Sequence, residues 1–131
     1  MTFDEIKKEC SEIQAELEVL IPDDVNAVIE HAKMLAVFMA RSGYLLANAK
    51  ELVRLKKSSE IGETIIKIAK EQFLSASAQK ALVDSIASDE IKLSEWLDRI
   101  NAACVHNIEL CRSIVSKEKE EMRMSNFTNI R

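Results

Sequence analysis

A long helical repeat between residues 24 and 57 constrains the fold of this chain more than any other feature. Apolar or small side chains recur there at alternating spacings of three and four residues: Val25, Val28, Ala32, Leu35, Met39, Ser42, Leu46, Ala49 and Val53. Such spacing places them on one face of an α-helix. The pattern predicts a single helix of about 50 Å. Gly43 lies inside it, so we expect either a kink or a closely packed backbone there.

The segments on either side of this repeat also carry helical signals. Thr2 followed by Glu5 matches a capping box, and the apolar spacing behind it predicts a first helix that ends at Ile21, before Pro22. Residues 60–86 are helical in pattern but less regular, and they form either one helix or two shorter ones. A last helix is predicted from about residue 89 to 122, followed by a flexible tail over residues 125–131.

Composition supports an all-α fold. Of 131 residues only two are glycine and one is proline, and aromatic residues make up 5%. Few helix breakers and few aromatic residues favour long helices over a β-sandwich or an α/β enzyme. We predict an all-α bundle of four to five helices, with long helices at about 24–57 and 89–122, that forms a single domain over residues 1–124.

The two long apolar stripes suggest self-association. Both stripes run the length of their helices, and one short pair of helices cannot cover them throughout. A homo-oligomer would bury the remainder. We therefore hypothesise that the chain pairs with copies of itself.

Charge and cysteine content bear on location and partners. The formal net charge is −4, which disfavours non-specific binding to nucleic acid, and the acidic first residues are unlike a secretion signal. The longest apolar run, Met34–Ala40, is far shorter than the roughly 20 residues that span a bilayer. Three cysteines indicate free thiols in a reducing compartment. These features predict a cytoplasmic protein without a membrane partner.

No motif indicates catalysis, a cofactor or a metal. Cys104, His106 and Cys111 lie on one helix, where the two cysteines are about 10.5 Å apart along the axis and His106 points away from Cys104. One zinc ion cannot join them. The sequence also lacks a nucleophile motif and a glycine-rich phosphate loop. We expect neither an enzyme nor a bound cofactor.

The last helix carries three candidate binding residues and one ambiguous asparagine. Arg99 and His106 are one heptad apart and share a face, whereas Arg112 points elsewhere. A strict heptad would bring Asn107 into the core, where a buried amide can fix register or oligomeric state. Alternatively the stripe shifts to Ile108 and leaves Asn107 at the rim.

A second candidate group lies on the long helix after the proline. Arg41, Tyr44 and Asn48 fall within about 60° of one another, opposite Met39, where a polar face is expected. An exposed tyrosine beside arginine and amide groups can stack on a ligand or a partner, although a single surface tyrosine is also ordinary. The basic residues from Lys50 to Lys70 could contact phosphates, but the helix dipole and solvation explain most of them.

Several strings resemble a family of short helical proteins encoded by tailed phages and prophages. They are Trp96-Leu97-Asp98-Arg99-Ile100-Asn101, His106-Asn107-Ile108, Arg112-Ser113, Ser116-Lys117-Glu118-Lys119-Glu120 and Ala47-Asn48-Ala49-Lys50. The resemblance covers about half of the chain and carries no settled activity. It implies a small accessory protein in the cytoplasm of an infected bacterium.

These observations favour a non-enzymatic helical homo-oligomer that binds a partner. One alternative is an oligomeric sponge that sequesters an anionic nucleotide signal of host antiviral defence, in a pocket of Arg, His, Tyr and Asn side chains. A second alternative is a DNA-associated accessory factor that uses the Lys50 to Lys70 region.

Overall fold

Two long antiparallel helices form the centre of the structure, a computed structural model that describes the backbone of residues 1–129 and the side chains of residues 1–126. The five helices are α1 (Phe3–Leu17), α2 (Val25–Lys57), α3 (Glu60–Glu71), α4 (Ala76–Ile86) and α5 (Ser88–Asn129). The structure has no strand among residues 1–129, which confirms the predicted all-α bundle and its two long helices.

Polar side chains at the helix starts fix where the first four helices begin. Thr2 and Glu5 form the predicted capping box, with Glu5 N–H donating to Thr2 Oγ1 at 3.2 Å and Thr2 N–H to Glu5 Oε2 at 3.0 Å. The side chains of Asp24, Ser59 and Ser75 cap α2, α3 and α4. Each accepts a hydrogen bond from the backbone N–H of the residue three positions later. These caps pair backbone N–H groups that a helix leaves without a partner.

The main core lies where α1 packs against the middle of the α2–α5 pair. Its buried side chains are Ile6, Cys10, Ile13, Leu45, Ala49, Leu93, Leu97, Ile100 and Cys104. A second, smaller cluster joins Val28 and Leu35 of α2 to Cys111 of α5, and Ile21 packs against it. The α3–α4 hairpin lies at the other end of the pair, where Lys57 Nζ is 3.0 Å from Asp84 Oδ1 and Lys56 Nζ is 3.4 Å from Glu90 Oε1.

Two predicted helix ends were wrong. α1 ends at Leu17 rather than Ile21, because Ile21 packs on the second cluster and the chain must leave the helix to bring it there. Leu20, assigned to the first apolar stripe, is consequently 88% exposed. α5 continues beyond Met122 through Asn129, so residues 125–129 of the expected tail are helical, while residues 130–131 lie outside the described part.

Local composition explains the first part of this extension of α5. Residues 117–124 are lysine, glutamate, arginine and methionine, which all have high intrinsic helix propensity. An ion pair between Arg123 and Glu120, 3.6 Å apart and three residues apart in sequence, adds local support. The predicted end at residue 122 was based on apolar periodicity. High helix propensity extends a helix where that periodicity is absent.

Residues 60–86 form two helices. α3 ends at Glu71, and Phe73 takes a positive φ of 50° at the position after the C-cap Gln72. A residue with left-handed backbone geometry commonly ends a helix at this position, although glycine is the usual residue. Phe73 is 93% exposed, so its ring contributes little to the packing that holds the hairpin.

One side of the α2–α5 pair is left uncovered. α1 packs on the side that carries Phe38, Leu45 and Ile100. At 100° per residue the opposite side of the pair carries a stripe of small and apolar residues, most of them exposed, interspersed with the charged residues Arg54, Asp98 and Glu109. We call this side the open face: Ile29, Ala36, Ala40, Gly43, Ala47, Ala102 and Val105.

Gly43 permits a test of how closely the helices pack. A Cβ atom added there would meet only Asn101 Nδ2, at 3.9 Å, which is ordinary contact. At Gly62 it would lie 2.5 Å from the Lys57 carbonyl oxygen. In urea unfolding we expect Gly43→Ala to stabilise the protein by about 0.5–1 kcal/mol through helix propensity.

Gly62→Ala provides the contrast, because the same substitution should destabilise by about 1–3 kcal/mol when the backbone has no room for a methyl group. These expectations hold for a single chain, so both variants are measured at a concentration that keeps copies apart; loss of stability in Gly43→Ala under that condition would contradict the first expectation.

Candidate binding surfaces on the central helix pair

Arg41, Tyr44 and Asn48 form a local group in which Arg41 is paired with α1. Arg41 Nε donates to Glu9 Oε2 at 2.7 Å, and a second guanidinium nitrogen donates to Glu9 Oε1. The guanidinium carbon lies 5.0 Å from the centre of the Tyr44 ring. Asn48 Nδ2 donates to the Tyr44 carbonyl oxygen at 3.0 Å. Arg41 therefore ties α1 to α2, and its charge is already compensated.

The electrostatics of this pair agree with its geometry. The hydrogen bonds from Arg41 hold the pKa of Glu9 below its usual value, although partial burial acts in the opposite direction. The same bonds raise the pKa of Arg41. Next to the pair, Glu12 and Glu16 border a groove over Val37 and Phe38, so this side of the protein is acidic and does not attract anions.

The candidates on α5 point in different directions. Arg99 and His106 are exposed, and neither has a hydrogen bond or ion pair with another residue of the described region. Ile108 packs against the second core cluster, and Asn107 lies half-buried beside that stripe. Arg112 borders a groove between α2 and α5. The residues therefore do not converge on one site.

A polar contact that the sequence analysis missed lies inside the helix pair. Asn101 Nδ2 donates to the Met39 carbonyl oxygen at 2.9 Å and to Ser42 Oγ at 3.0 Å. Ser42 is fully buried, and its hydroxyl donates to the same carbonyl at 2.9 Å. The sequence contains a signal that Asn101 faces the core. The apolar spacing of four, three and four residues from Leu97 to Ile108 passes through Asn101 and Cys104.

The basic end of α2 is largely neutralised by neighbouring acids. Arg54 pairs with Glu51, Lys56 with Glu90 and Lys57 with Asp84. A cation that already has an acidic partner contributes less to phosphate binding, since that partner repels the phosphate. This arrangement weakens the case for the DNA-associated alternative.

The thiols and carboxylates do not form a reactive centre in the described part of the chain. Cys10, Cys104 and Cys111 are free and buried, and burial raises the pKa of all three thiols, that of Cys10 to about 12. They remain protonated, and thus poorly nucleophilic, at neutral pH. Within residues 1–129 no three His, Cys, Asp or Glu side chains are grouped so that they could ligate a metal ion.

Comparison of the chain with family models, with curated proteins and with solved structures gives no match. The similarity to helical phage proteins therefore stays a hypothesis based on the strings quoted above. In the described region none of the helices combines the length and the apolar character needed to cross a bilayer.

The hydrogen-bonded amide of Asn101 can be tested against the amide of Asn107, which is also half-buried on the same helix. Asn101→Ala removes two hydrogen bonds and leaves the Ser42 hydroxyl with one partner fewer, so we expect a loss of about 1–3 kcal/mol in unfolding free energy. Asn107→Ala should change it by less than about 0.5 kcal/mol. Equal losses for the two variants would contradict this assignment.

The Glu9–Arg41 pair should make stability depend on pH. A double-mutant cycle with Glu9→Gln and Arg41→Gln is expected to give a small favourable coupling at pH 7, like that of other surface ion pairs, because both side chains are partly exposed. Glu9 has a lowered pKa in the folded state, so the coupling should be present above the ordinary value of 4.5 and disappear as the pH falls through the folded value. A coupling that persists at pH 2 would contradict this expected pH dependence.

Proposed function

We propose that the protein is a non-enzymatic assembly protein whose α2–α5 pair associates, through the open face, with the same face of a second copy. The proposal rests on one observation: helix α1 covers one side of the pair, while the small and apolar residues of the opposite side remain exposed. Exposed apolar residues that lie side by side on one face often mark an interaction site.

The dimensions of the open face suit a small dimer interface. From Ile29 to Ala47 it extends about 27 Å at 1.5 Å per residue, and two adjacent helices are about 20 Å wide. The product is about 540 Å² per copy, so two copies would bury about 1,080 Å², just above the roughly 1,000 Å² expected of a biological interface. A second helix pair laid on this face would complete a four-helix bundle.

The residues at the centre of the open face favour close helix packing. Ala40, Gly43 and Ala47 have small side chains, and Val105 on α5 is 40% exposed beside them. Small residues allow two helices to approach closely, and dispersion contacts then accumulate along the whole length. A glutamate in place of Ala40 or Ala102 would add bulk and charge among these small residues and would oppose that approach.

A scaffolding or accessory role fits such a dimer. The buried, protonated thiols and the separation of the polar candidates favour binding over catalysis. The resemblance to short phage proteins supports an accessory factor that acts in the cytoplasm of an infected bacterium. Partner recognition would then use the outward side of α5, where Arg99 and His106 are exposed.

The proposal predicts that charge at the centre of the open face separates the copies. We expect the wild-type protein to have the mass of at least two chains in multi-angle light scattering at micromolar concentration, and Ala40→Glu or Ala102→Glu to have the mass of one. Circular dichroism should show that both variants keep their helices, because positions 40 and 102 are exposed in the single chain.

Ala15→Glu is the matched control, since Ala15 is exposed on α1 and lies away from the open face. It should leave the mass unchanged. A wild-type mass of one chain would overturn the proposal, and so would equal effects of the Ala40 and Ala15 substitutions.

A further inference from the structure

A groove between the N-terminal half of α2 and the C-terminal half of α5 differs in charge from the rest of the molecule. Its volume is about 420 Å³, within the range of about 300–1,000 Å³ that is usual for small-molecule sites. Its apolar lining comes from Ile29, Ala32 and Ala36 on α2 and from Ile108 and Val115 on α5. The groove therefore offers an aliphatic surface to a ligand.

Three cations border this apolar surface. Lys33, Arg112 and Lys119 line the groove, which has no acidic side chain in its lining. Lys33 lies 3.1 Å from Glu30, whereas Arg112 and Lys119 have no ion pair with another residue of the described region. The chain as a whole has a formal net charge of −4, so these three residues form a local concentration of positive charge. No residue of α1, and therefore none of its acids, lines the groove.

We infer that this groove binds an amphipathic anion, with a carboxylate or phosphate head on an aliphatic body. Arg112 can hold such a head through two parallel hydrogen bonds, and Lys119 adds charge. The body would lie on Ile29, Ile108 and Val115, where it displaces water from apolar surface. No aromatic ring lines the groove, so only the Arg112 guanidinium could stack on a nucleobase, and in this arrangement it holds the anionic head.

This conclusion modifies the nucleotide-sponge alternative. That alternative required Arg, His, Tyr and Asn side chains in one pocket, but Tyr44, His106 and Asn107 are not in the lining around Arg112. Arg112 remains a candidate for binding the anionic group of a ligand. The groove gives no support for recognition of a nucleobase. The favoured ligand is therefore a fatty-acid-like or lipid-phosphate-like molecule.

The site does not depend on the proposed dimer, because every lining residue belongs to one chain. Its cations nevertheless constrain pairing. Ile29 and Ala36 belong to the open face as well, so a ligand would lie at one end of the paired surface and offset the charge of Arg112 and Lys119. Binding can be measured in the Ala40→Glu variant, which keeps the two proposals separable.

The test is a titration of ¹⁵N-labelled protein with decanoate below its micellar concentration, followed by two-dimensional NMR. We expect saturable shifts centred on the amides of Ile29, Ala36 and Ser116 in Ala40→Glu, where no second copy covers the groove, and the same shifts at higher ligand concentration in the wild type. Decyl phosphate provides the alternative head group. Comparison of its dissociation constant with that of decanoate identifies whether the site prefers a phosphate or a carboxylate. Decanol has the same body without the charge and should bind about tenfold or more weakly.

Charge-removing variants complete the experiment. Arg112→Gln and Lys119→Gln should each weaken binding by about tenfold. Lys92→Gln, which changes an exposed lysine of α5 outside the groove, should leave the affinity unchanged. Three results would each overturn the inference: no saturable shift with either anion, decanol binding as tightly as decanoate, or Arg112→Gln binding as tightly as Lys92→Gln. The mass of the same samples reports separately on self-association.

Discussion

Burial of the apolar stripes of α2 and α5 against each other is the interaction on which the rest of the structure depends. Leu35, Leu45 and Leu97 are fully buried along this contact. Local hydrogen bonding alone gives a helix little stability in water, so tertiary packing of the apolar stripes supplies most of the stability of both helices. The short helices add to a pair that is already in place: α1 extends the core over the middle, and the α3–α4 hairpin joins the two helices at one end.

A polar contact sets how the two long helices are aligned. Apolar side chains tolerate a shift of one helix along another, because one leucine can replace the next in a similar environment. The Asn101 amide has no such freedom, since only one alignment brings it to Ser42 and the Met39 carbonyl. Misalignment would deprive the half-buried Asn101 amide of both acceptors and leave the buried Ser42 hydroxyl with one partner fewer. This contact therefore supplies specificity that apolar packing does not.

The candidate binding residues show where sequence reasoning succeeds and fails. Helical periodicity correctly put Arg41, Tyr44 and Asn48 near one another, because they are close in sequence. It could not show that Glu9, 32 residues away, would neutralise Arg41. Similarly, Arg112 was identified without Lys33 and Lys119, because only the packing of α5 on α2 brings these three cations to one groove.

The sequence by itself determined the helical class, the two long rods and most of the helix starts, since spacing and capping are local properties of the chain. The tertiary structure decided what periodicity leaves open. It selected Leu45 rather than Leu46 for full burial, because α1 packs on that side of α2. It ended α1 at Leu17, because Ile21 had to reach the second cluster. Which side of the pair stays uncovered follows from where α1 lies, and that depends on contacts between residues far apart in sequence.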